Sequence, residues 1–382
     1  SYVWLRRKLS PEQKQRVIDL GESGLGFVTE SRRFYPKREM ASALLGFVGV
    51  DDKGLSGIES AFEKEMKGHF GRIRIQRDAR GRSVHPEATV VTRPEAGADV
   101  RLTVDEVIQY IVEKELRIQL KRTGAKRAIG VMVEPRTGRV LSMATVPGFN
   151  PNVYGRYDSA LWRQAAVQDI YEPGSTFKIV TAAAYIDSGG DLGKRYFAEN
   201  GKYKIGVGRF TLHDYKKFGW LTAEEVVMNS SNIGVYKMAK DVGAERIHSM
   251  VQRFGFGKKT GIYFPGEGRG IFRPLKRWSS TSLASISIGQ EIGVTPLQMV
   301  MAVAAVANGG VMPVPRIVEA LEKEGRILPR SGPPALRRVI SARTANRLGD
   351  LLRKVVSGGT GKAAEVPGYG AAGKTGTAQV AR

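Results

Sequence analysis

The spacing of apolar residues divides the chain into two regions of different texture. Residues 10–20 predict a short helix that begins at Pro11. The apolar residues on one side of this helix are Val17, Ile18 and Leu20. From residue 24 to residue 97 the apolar runs are short, β-prone and broken by Gly and Pro, as in the Gly-Arg-Ile-Arg-Ile run at residues 71–75. The turn-rich segment 92–97 predicts a boundary between two domains.

After residue 98 the apolar positions follow longer periodic patterns. Residues 99–104 alternate as in a strand, and Asp105 is placed to cap a helix over residues 106–121. The apolar stripe of that helix is predicted to be Val107, Ile108, Ile111, Val112 and Leu116.

A hairpin and several further helices are predicted over the rest of the chain. Two apolar, β-branched runs at residues 128–134 and 140–146, separated by Thr137-Gly138, predict a hairpin whose strands are buried on at least one face. Helices are predicted near residues 175–187, 222–228, 233–242 and 296–308. A last strand is predicted over residues 371–380. Helices between an early hairpin and a late strand indicate a layered α+β fold.

The composition is that of a folded protein with a strong excess of positive charge. Of 382 residues, 42% are hydrophobic, and 60 basic against 37 acidic residues give a net charge of +23. This balance favours an anionic partner, such as nucleic acid, anionic lipid headgroups or a pyrophosphate-bearing lipid. The densest basic residues are Arg72, Arg74, Arg77, Arg80 and Arg82. Because neither zinc-finger spacing nor an RNA-binding aromatic signature accompanies them, we expect no nucleic-acid partner, and a solvated basic surface is the alternative.

Metal and disulfide chemistry find little support in the sequence. There are no cysteines, which excludes disulfides and thiolate metal sites, and the four histidines are far apart, so we expect no metal site. We also expect no organic cofactor. No apolar run approaches the roughly 20 residues of a membrane span. The first residues read as the middle of a longer sequence, and we expect the chain to be truncated at both ends.

The first of three short motifs is Glu-Pro-Gly-Ser-Thr-Phe-Lys at residues 172–178. Pro and Gly lead into an apolar helical run, so Ser175 is predicted at a helix N-terminus, with Lys178 one turn further on the same face. A serine hydroxyl needs a base, and a lysine whose pKa is lowered by burial and cationic neighbours can serve. The helix N-terminus also offers an N–H to a developing oxyanion. By itself, an exposed S-x-x-K sequence also occurs by chance.

The second motif is Asn-Ser-Ser-Asn at residues 229–232, between two predicted helices. Ser230 could relay a proton between Lys178 and a leaving group, and Asn232 could bind a substrate amide. The simpler interpretation is an N-cap for the helix that starts at Ile233. The two roles are compatible.

The third motif is Gly-Lys-Thr-Gly-Thr-Ala at residues 373–378, in the predicted last strand. Gly376 would let a ligand approach the strand closely, and an exposed edge there could bind an extended peptide by strand addition. Lys374 supplies charge for a substrate carboxylate and lowers the pKa of Lys178, and the Thr377 N–H can complete an oxyanion hole. A phosphate loop fits formally, but a strand rather than a helix is predicted to follow.

In this order, S-x-x-K, S-x-N and K-T-G resemble the signature of the penicillin-recognising enzymes. Residues 163–174 look like that family's approach to the nucleophile. Residues 288–298 resemble its S-x-G-x-x-x-x-x-T-P-x-Q segment, which we expect to pack near the site without chemistry of its own. The resemblance implies these site residues: Ser175 as nucleophile, Lys178 as general base, Ser230 as proton relay, and Asn232, Lys374, Thr375, Gly376 and Thr377.

The region before residue 97 resembles the pedestal of class B penicillin-binding proteins. The segments that carry this resemblance are residues 30–36, 45–49 and 54–59. The last of them, Gly-Leu-Ser-Gly-Ile-Glu, looks closest to the septal cell-division transpeptidases and their sporulation relatives. The resemblance implies an α+β fold: an elongated α+β pedestal for dimerisation or partner binding over residues 1–97, then a penicillin-binding/β-lactamase-like transpeptidase domain over residues 98–382, a sheet with helices on both sides.

The activity implied by the resemblance is that of a peptidoglycan DD-transpeptidase. Such an enzyme cross-links D-Ala-D-Ala stem peptides during septal wall synthesis through a serine acyl-enzyme, and β-lactams inhibit it covalently. The implied partners are stem peptides, lipid-linked precursor strands, a membrane glycosyltransferase and other division proteins. The implied location is the extracytoplasmic face of the cell membrane, with a single-pass anchor outside this chain. Two alternatives remain: a hydrolase of the same fold (a DD-carboxypeptidase or a β-lactamase) and a division scaffold whose site is incidental.

Overall fold

The structure of the protein is a computed structural model that describes residues 3–69, 71–74, 89–205, 210–329 and 335–377. Of the dense basic cluster it therefore covers Arg72 and Arg74. The other members, Arg77, Arg80 and Arg82, lie outside the described residues, as does the end of the predicted last strand after residue 377.

The N-terminal region consists of short elements. Its helices are α1 (Pro11–Ile18), α2 (Ser42–Leu45), α3 (Gly57–Ala61) and α4 (Glu63–Met66), and its strands are β1 (Arg72–Arg74) and β2 (Thr89–Thr92), which pair antiparallel. The helix predicted at Pro11 is confirmed, and Ser10 closes a capping box with Gln13 at its start. None of its residues is buried, and Ile18 and Leu20 are exposed.

The predicted strand, helix and hairpin after residue 98 are confirmed. They are β3 (Asp99–Leu102), α5 (Glu106–Thr123), β4 (Ala128–Val133) and β5 (Val140–Val146). Asp105 caps α5 by accepting a hydrogen bond from the Ile108 N–H at 2.9 Å. Strands β4 and β5 pair antiparallel, with Val131 opposite Met143.

The apolar stripe predicted for α5 is wrong in part. Val107 and Ile111 are exposed, whereas the polar residues Gln109 and Glu113 are buried. Their burial is compensated by hydrogen bonds: Gln109 Oε1 accepts from the Met143 N–H at 2.9 Å, and Glu113 Oε1 accepts from the Ala41 N–H at 2.7 Å. Helix α5 therefore packs a polar face on β5 and links the N-terminal region to the second region.

The rest of the chain is mostly helical, with short strands. The helices are α6 (Ala165–Gln168), α7 (Lys178–Asp187), α8 (Ala223–Met228), α9 (Asn232–Val242), α10 (Ala244–Arg253), α11 (Ser282–Ser287), α12 (Pro296–Ala307) and α13 (Ala342–Ser357). The strands are β6 (Arg195–Phe197), β7 (Lys202–Ile205), β8 (Phe210–His213), β9 (Trp220–Thr222), β10 (Val311–Pro313), β11 (Val318–Lys323), β12 (Arg326–Pro329) and β13 (Leu336–Arg338). The helices predicted near residues 175–187, 222–228, 233–242 and 296–308 are thereby confirmed.

The strands form small antiparallel sheets beside a helical core. Strand β11 pairs with both β12 and β3, and separate pairs join β6 to β9, β7 to β8 and β10 to β13. Helix α7 lies at the centre, packed against α9, α10 and α13, and every residue from Lys178 to Ile186 is buried. The fold is α+β with a mixed N-terminal region, as the sequence predicted, while the domain boundary at residue 97 stays a prediction.

The strand predicted over residues 371–380 is wrong for its described part. Residues 371–377 form no ladder with another described strand. The Gly373 N–H instead donates to the Leu352 carbonyl oxygen of α13 at 3.2 Å, so the segment is fixed against a helix. No helix in the described ranges is both long and apolar enough to cross a membrane.

Candidate active site

The predicted nucleophile, Ser175, lies in a single 3-10 turn, Gly174–Phe177, that leads directly into α7. The Gly174 N–H donates to the Gly289 carbonyl oxygen at 3.0 Å, which attaches the turn to a second loop. Gly289 has φ +82°, and a Cβ there would lie 2.1 Å from the Gly174 oxygen, so only glycine fits this approach. Residues 288–298 therefore pack against the nucleophile turn, as expected from their resemblance.

Lys178 is completely buried at the first position of α7. Its Nζ donates to the Ser230 carbonyl oxygen at 2.6 Å, to the Ser230 Oγ at 3.1 Å and to the Asn232 Oδ1 at 2.6 Å. Burial lowers the pKa of Lys178 well below its ordinary value, and the positive charge of Lys374 lowers it further, while the carboxylate of Asp214 opposes both. This environment favours a neutral amine, which can accept a proton.

The Ser230 hydroxyl lies between two lysines. The Lys374 Nζ donates to the Ser230 Oγ at 2.9 Å and to the Thr375 carbonyl oxygen at 3.0 Å. Burial lowers the pKa of Lys374 to about 8. Because both lysines donate to the Ser230 oxygen, its own proton is available for a third group, and Ser230 holds this position with φ +56°.

The start of α9 is fixed by caps from two elements. Ser231 is its N-cap and accepts a hydrogen bond from the Gly234 N–H at 2.9 Å, which confirms the capping interpretation of the second motif. The Ser231 hydroxyl donates to Asp214 Oδ2 at 2.7 Å, and Asp214 Oδ1 accepts from the N–H groups of Asn232 and Ile233. Capping and a place beside Lys178 are thus both features of this motif.

The third motif passes close to the nucleophile turn. A Cβ at Gly376 would lie 2.6 Å from the Thr176 Cγ2, so the absence of a side chain permits this approach. The hydroxyls of Thr375 and Thr360 are 2.9 Å apart and share a hydrogen bond. Thr377 follows Gly376 and lines the cleft that lies between these segments.

These elements enclose a cleft of about 700 Å³. It is lined by Ser175, Phe210, Thr211, Leu212, His213, Asp214, Tyr215, Ser230, Asn232, Ile288, Gln290, Thr360, Thr375, Gly376 and Thr377. Six of the eight predicted site residues line it, and the amines of the other two, Lys178 and Lys374, donate to the hydroxyl of the lining residue Ser230. The eight residues therefore lie together.

The Ser175 hydroxyl itself forms no hydrogen bond to Lys178 or to any other described side chain. Such contacts are often long or misaligned before a substrate binds, so this geometry is compatible with proton transfer in a complex. The described residues contain no group of three or more His, Cys, Asp or Glu side chains that could hold a metal ion.

The sequence motifs did not reveal three cleft residues of chemical interest: Asp214, Gln290 and Thr360. Gln290 was within a recognised segment but was expected to be inert. Thr360 lies between glycines in a Gly-Gly-Thr-Gly run, which was a usable signal for a turn near a ligand. Asp214 had no comparable signal, because nothing in the sequence between residues 200 and 220 indicates that this segment lies beside the second motif.

Comparison with known proteins gives matches over the whole chain. Residues 128–382 match the penicillin binding protein transpeptidase domain, and residues 1–102 match the penicillin-binding protein dimerisation domain. The chain is 36% identical over 379 residues to Stage V sporulation protein D of Bacillus subtilis, covering 98% of this chain and 58% of that protein. It is 32% identical over 386 residues to a probable peptidoglycan D,D-transpeptidase of Pseudomonas aeruginosa, covering 100% of this chain and 65% of that protein. The chain thus spans about three fifths of the length of these relatives.

Solved structures of similar fold extend the comparison. Penicillin binding protein 3 of Mycobacterium tuberculosis superposes with a TM-score of 0.82 at 34% identity, covering 92% of this chain and 77% of that one. The same protein complexed with ampicillin superposes with a TM-score of 0.81 at 34% identity, covering 91% of this chain and 75% of that one.

Proposed function

The chain belongs to the class B penicillin-binding proteins, in which a dimerisation domain precedes a transpeptidase domain, and we propose that it is a serine DD-transpeptidase that cross-links peptidoglycan. The observation that carries this proposal is the arrangement around Ser230. A buried lysine with a lowered pKa and a second lysine both bind its hydroxyl, and Ser175 lies in the same cleft. These groups can supply the nucleophile, the base and the proton relay that acyl transfer through a serine requires.

The first step forms an acyl-enzyme. The Ser175 Oγ attacks the carbonyl carbon of the peptide bond between two D-alanines, and its proton passes to the neutral amine of Lys178. The carbonyl C–N bond then breaks, and the departing D-Ala nitrogen takes a proton from Lys178 through the Ser230 hydroxyl. An ester remains on Ser175.

Charge in this step is stabilised by groups on two sides of the cleft. The N–H groups of Ser175 and Thr377 are proposed to bind the developing oxyanion. Lys374, Thr375 and Gly376 are proposed to receive the substrate's terminal carboxylate and its extended backbone. At a pKa of about 8, Lys374 is mostly protonated at neutral pH and supplies the positive charge.

The second step transfers the acyl group to an amine. The amine of a neighbouring stem peptide attacks the ester carbonyl, and its proton passes to Lys178. As the ester bond breaks, Lys178 returns this proton to the Ser175 Oγ. The new amide bond is the cross-link. Exclusion of water when the cleft is occupied by both peptides would favour the amine over hydrolysis.

We further propose the cellular setting that this activity requires. The substrates are stem peptides on lipid-linked precursor strands, presented on the extracytoplasmic side of the membrane. The N-terminal region, with its boundary near residue 97, is proposed to bind a membrane glycosyltransferase and other division proteins. A septal or a sporulation role fits, because Stage V sporulation protein D is among the relatives.

The proposal is tested with penicillin on the protein at its natural length. Intact-mass measurement is expected to show one stoichiometric adduct, located in the tryptic peptide that contains Ser175, and Ser175→Ala is expected to show none. The adduct is expected to persist, because we find no segment in the sequence that resembles the glutamate-bearing loop by which class A β-lactamases place a hydrolytic water. Hydrolysis is expected to be slower than acylation by several orders of magnitude, and each factor of ten is about 1.4 kcal/mol of barrier. An adduct that clears within seconds would indicate a hydrolase instead, and normal cross-linking in Ser175→Ala cells would indicate a scaffold.

A further inference from the structure

Asp214 has an unusual set of contacts for a residue that lies outside the three motifs. It follows directly after β8 and lines the cleft beside Asn232. Its two oxygens accept hydrogen bonds from the Ser231 hydroxyl at 2.7 Å and from the Ile233 N–H at 3.2 Å, with the Asn232 N–H as a third donor. One carboxylate thus fixes three consecutive residues after Ser230.

A second contact from the same strand fixes the Asn232 side chain. The Asn232 Nδ2 donates to the His213 carbonyl oxygen at 2.7 Å, which leaves its Oδ1 directed at the Lys178 Nζ, 2.6 Å away. The end of β8 therefore determines where the second motif lies relative to Lys178. A shift of about 1 Å at such a position can reduce a reaction rate by two orders of magnitude.

Asp214 is also the acidic group that acts on Lys178. Among the residues that the structure describes, the charged groups that act on the Lys178 amine are Lys374, from the terminal segment, and Asp214, from the end of β8. His213 and Tyr215, beside Asp214, are the other titratable side chains on this wall of the cleft. The Asp214 carboxylate favours the protonated amine, whereas burial and Lys374 favour the neutral amine.

Resting on the proposed function, we propose that Asp214 is a positioning residue for acyl transfer. It holds the Ser230–Asn232 turn against Lys178, and its negative charge balances that of Lys374 at the buried amine. Without the Asp214 carboxylate, Lys178 would remain neutral at lower pH. The Ser230 hydroxyl and the Asn232 side-chain amide, however, would no longer be held in place beside the Lys178 amine. The residue therefore serves geometry and charge together.

The alternative role for Asp214 is that of a simple helix cap, and matched variants separate the two. Asp214→Asn removes the charge but keeps an oxygen that can accept from the N–H groups of Asn232 and Ile233, and Asp214→Ser removes both the charge and the reach. A purely capping role therefore predicts that the acidic limb stays at the wild-type pH in both variants. Asp214→Glu keeps the charge but moves it by one methylene. Asp241→Asn is the control: this carboxylate is near the other end of α9, where it binds Lys194 and Tyr196, and it does not line the cleft.

The measurement is the rate of acylation by a fluorescent penicillin as a function of pH, with the protein at its natural length and with thermal unfolding recorded for each variant. Acylation requires neutral Lys178, so the rate falls as pH falls through the pKa of that amine. In Asp214→Asn and Asp214→Ser the acidic limb is expected to move to lower pH, because the carboxylate that favours the protonated amine is gone. The plateau rate is expected to fall by about tenfold or more.

Asp214→Glu is expected to keep the wild-type limb and to lose rate, and Asp241→Asn is expected to keep both. An acidic limb that stays at the wild-type pH in Asp214→Asn or Asp214→Ser would overturn the proposal while the wild type is still acylated. If Asp214→Asn does not fold, Asp214→Ser decides by the same criterion. Failure of the wild type to form a Ser175 adduct would instead overturn the proposed function and this inference with it.

Discussion

The N-terminal region and the cleft use charged side chains in opposite ways. In the N-terminal region, basic and acidic groups pair near the surface. The pairs are Arg7 with Glu30 at 2.5 Å, Lys8 with Asp52 at 2.8 Å and Arg33 with Glu59 at 2.7 Å. Near the surface, solvent screens the attraction within such pairs, although the Glu59 carboxylate itself is buried. They fix the register of a region that has few regular elements.

In the cleft, the buried Lys178 and the partly buried Lys374 have no acidic partner in contact among the described residues. Among the described residues neither Lys178 nor Lys374 forms an ion pair; their amines donate to the oxygens of Ser230, Asn232 and Thr375 instead. Burial without a counter-ion disfavours the charged form, which is why both pKa values are lowered. Leaving these amines without a counter-ion lowers the stability of the folded state, and we propose that it makes Lys178 a better proton acceptor. In the N-terminal region the charged groups are paired, so neither effect arises.

The largest effect on the acylation rate is expected when the charge of Lys374 is removed. Lys374→Ala is expected to slow acylation by about a hundredfold or more, because the carboxylate of the β-lactam loses its cation. The Lys178 amine also loses the neighbouring charge that lowers its pKa, so the acidic limb of the remaining acylation is expected to move to higher pH. An unchanged pH profile would show that the two lysines are not coupled.

The same lysine gives a prediction for stability against pH. The folded-state pKa of Lys374 is about 8, below its ordinary value of 10.5, so the unfolded chain binds more protons between these values. The free energy of unfolding is therefore expected to rise with pH across this window, by roughly 3 kcal/mol from Lys374. Urea titrations of the wild type and Lys374→Ala at pH 8 and pH 10 measure the difference, and equal slopes with pH would contradict it.

A smaller effect is expected from one added methyl group at a close backbone contact in each region. Gly289→Ala places a Cβ 2.1 Å from the Gly174 oxygen, and Gly57→Ala places one 2.5 Å from the Gly46 nitrogen. Both substitutions are expected to destabilise the protein by about 1–3 kcal/mol. Only Gly289→Ala is expected to slow acylation, by about tenfold, because it moves the turn that carries Ser175.

Gly57→Ala is thus the matched control for Gly289→Ala. Thermal unfolding and acylation rates are measured on both variants at a temperature where each is folded. Equal losses of rate in the two variants would mean that acylation reports general destabilisation rather than the geometry of the nucleophile turn.

The smallest effect on the chemistry is expected from the surface pairs. Arg33→Glu lies in the segment from residue 32 to residue 59, which we propose binds partners, and it removes the pair with Glu59. Acylation of the purified protein is expected to be unchanged, while cross-linking in cells, measured by analysis of wall digests, is expected to fall. Lys64→Glu makes the same charge change on the exposed surface outside this segment. Loss of acylation in a folded Arg33→Glu variant would contradict the separation of the two regions.

Local patterns in the sequence were sufficient for much of the fold and for proposing site residues, most of which the structure places around one cleft. The capped start of α5 at Asp105, the β4–β5 hairpin and the buried helix α7 all follow from residues within a few positions of one another. The same reasoning could have found α10 and α13, whose apolar residues repeat with helical periodicity. The three motifs were legible because each combines its chemical groups within four residues.

What the sequence left undecided depends on contacts between distant segments. The polar face of α5 can be buried because Gln109 and Glu113 accept hydrogen bonds from backbone N–H groups of Met143 in β5 and of Ala41 just before α2. Helical periodicity cannot indicate such partners from distant segments. The strand predicted after residue 370 needed a described partner strand, and α13 is its neighbour instead.

The site itself shows the same division. Which residues are candidates for the chemistry follows from local spacing, since Ser175 and Lys178 are one helical turn apart. How they act does not: Lys178 meets Ser230 across 52 positions, Lys374 meets Ser230 across 144, and Asp214 meets Asn232 across 18. Burial and neighbouring charges lower the pKa of a lysine, and both are properties of the packed chain rather than of any segment. Only the tertiary structure could therefore set the pKa values of these amines and bring Asp214 to Lys178.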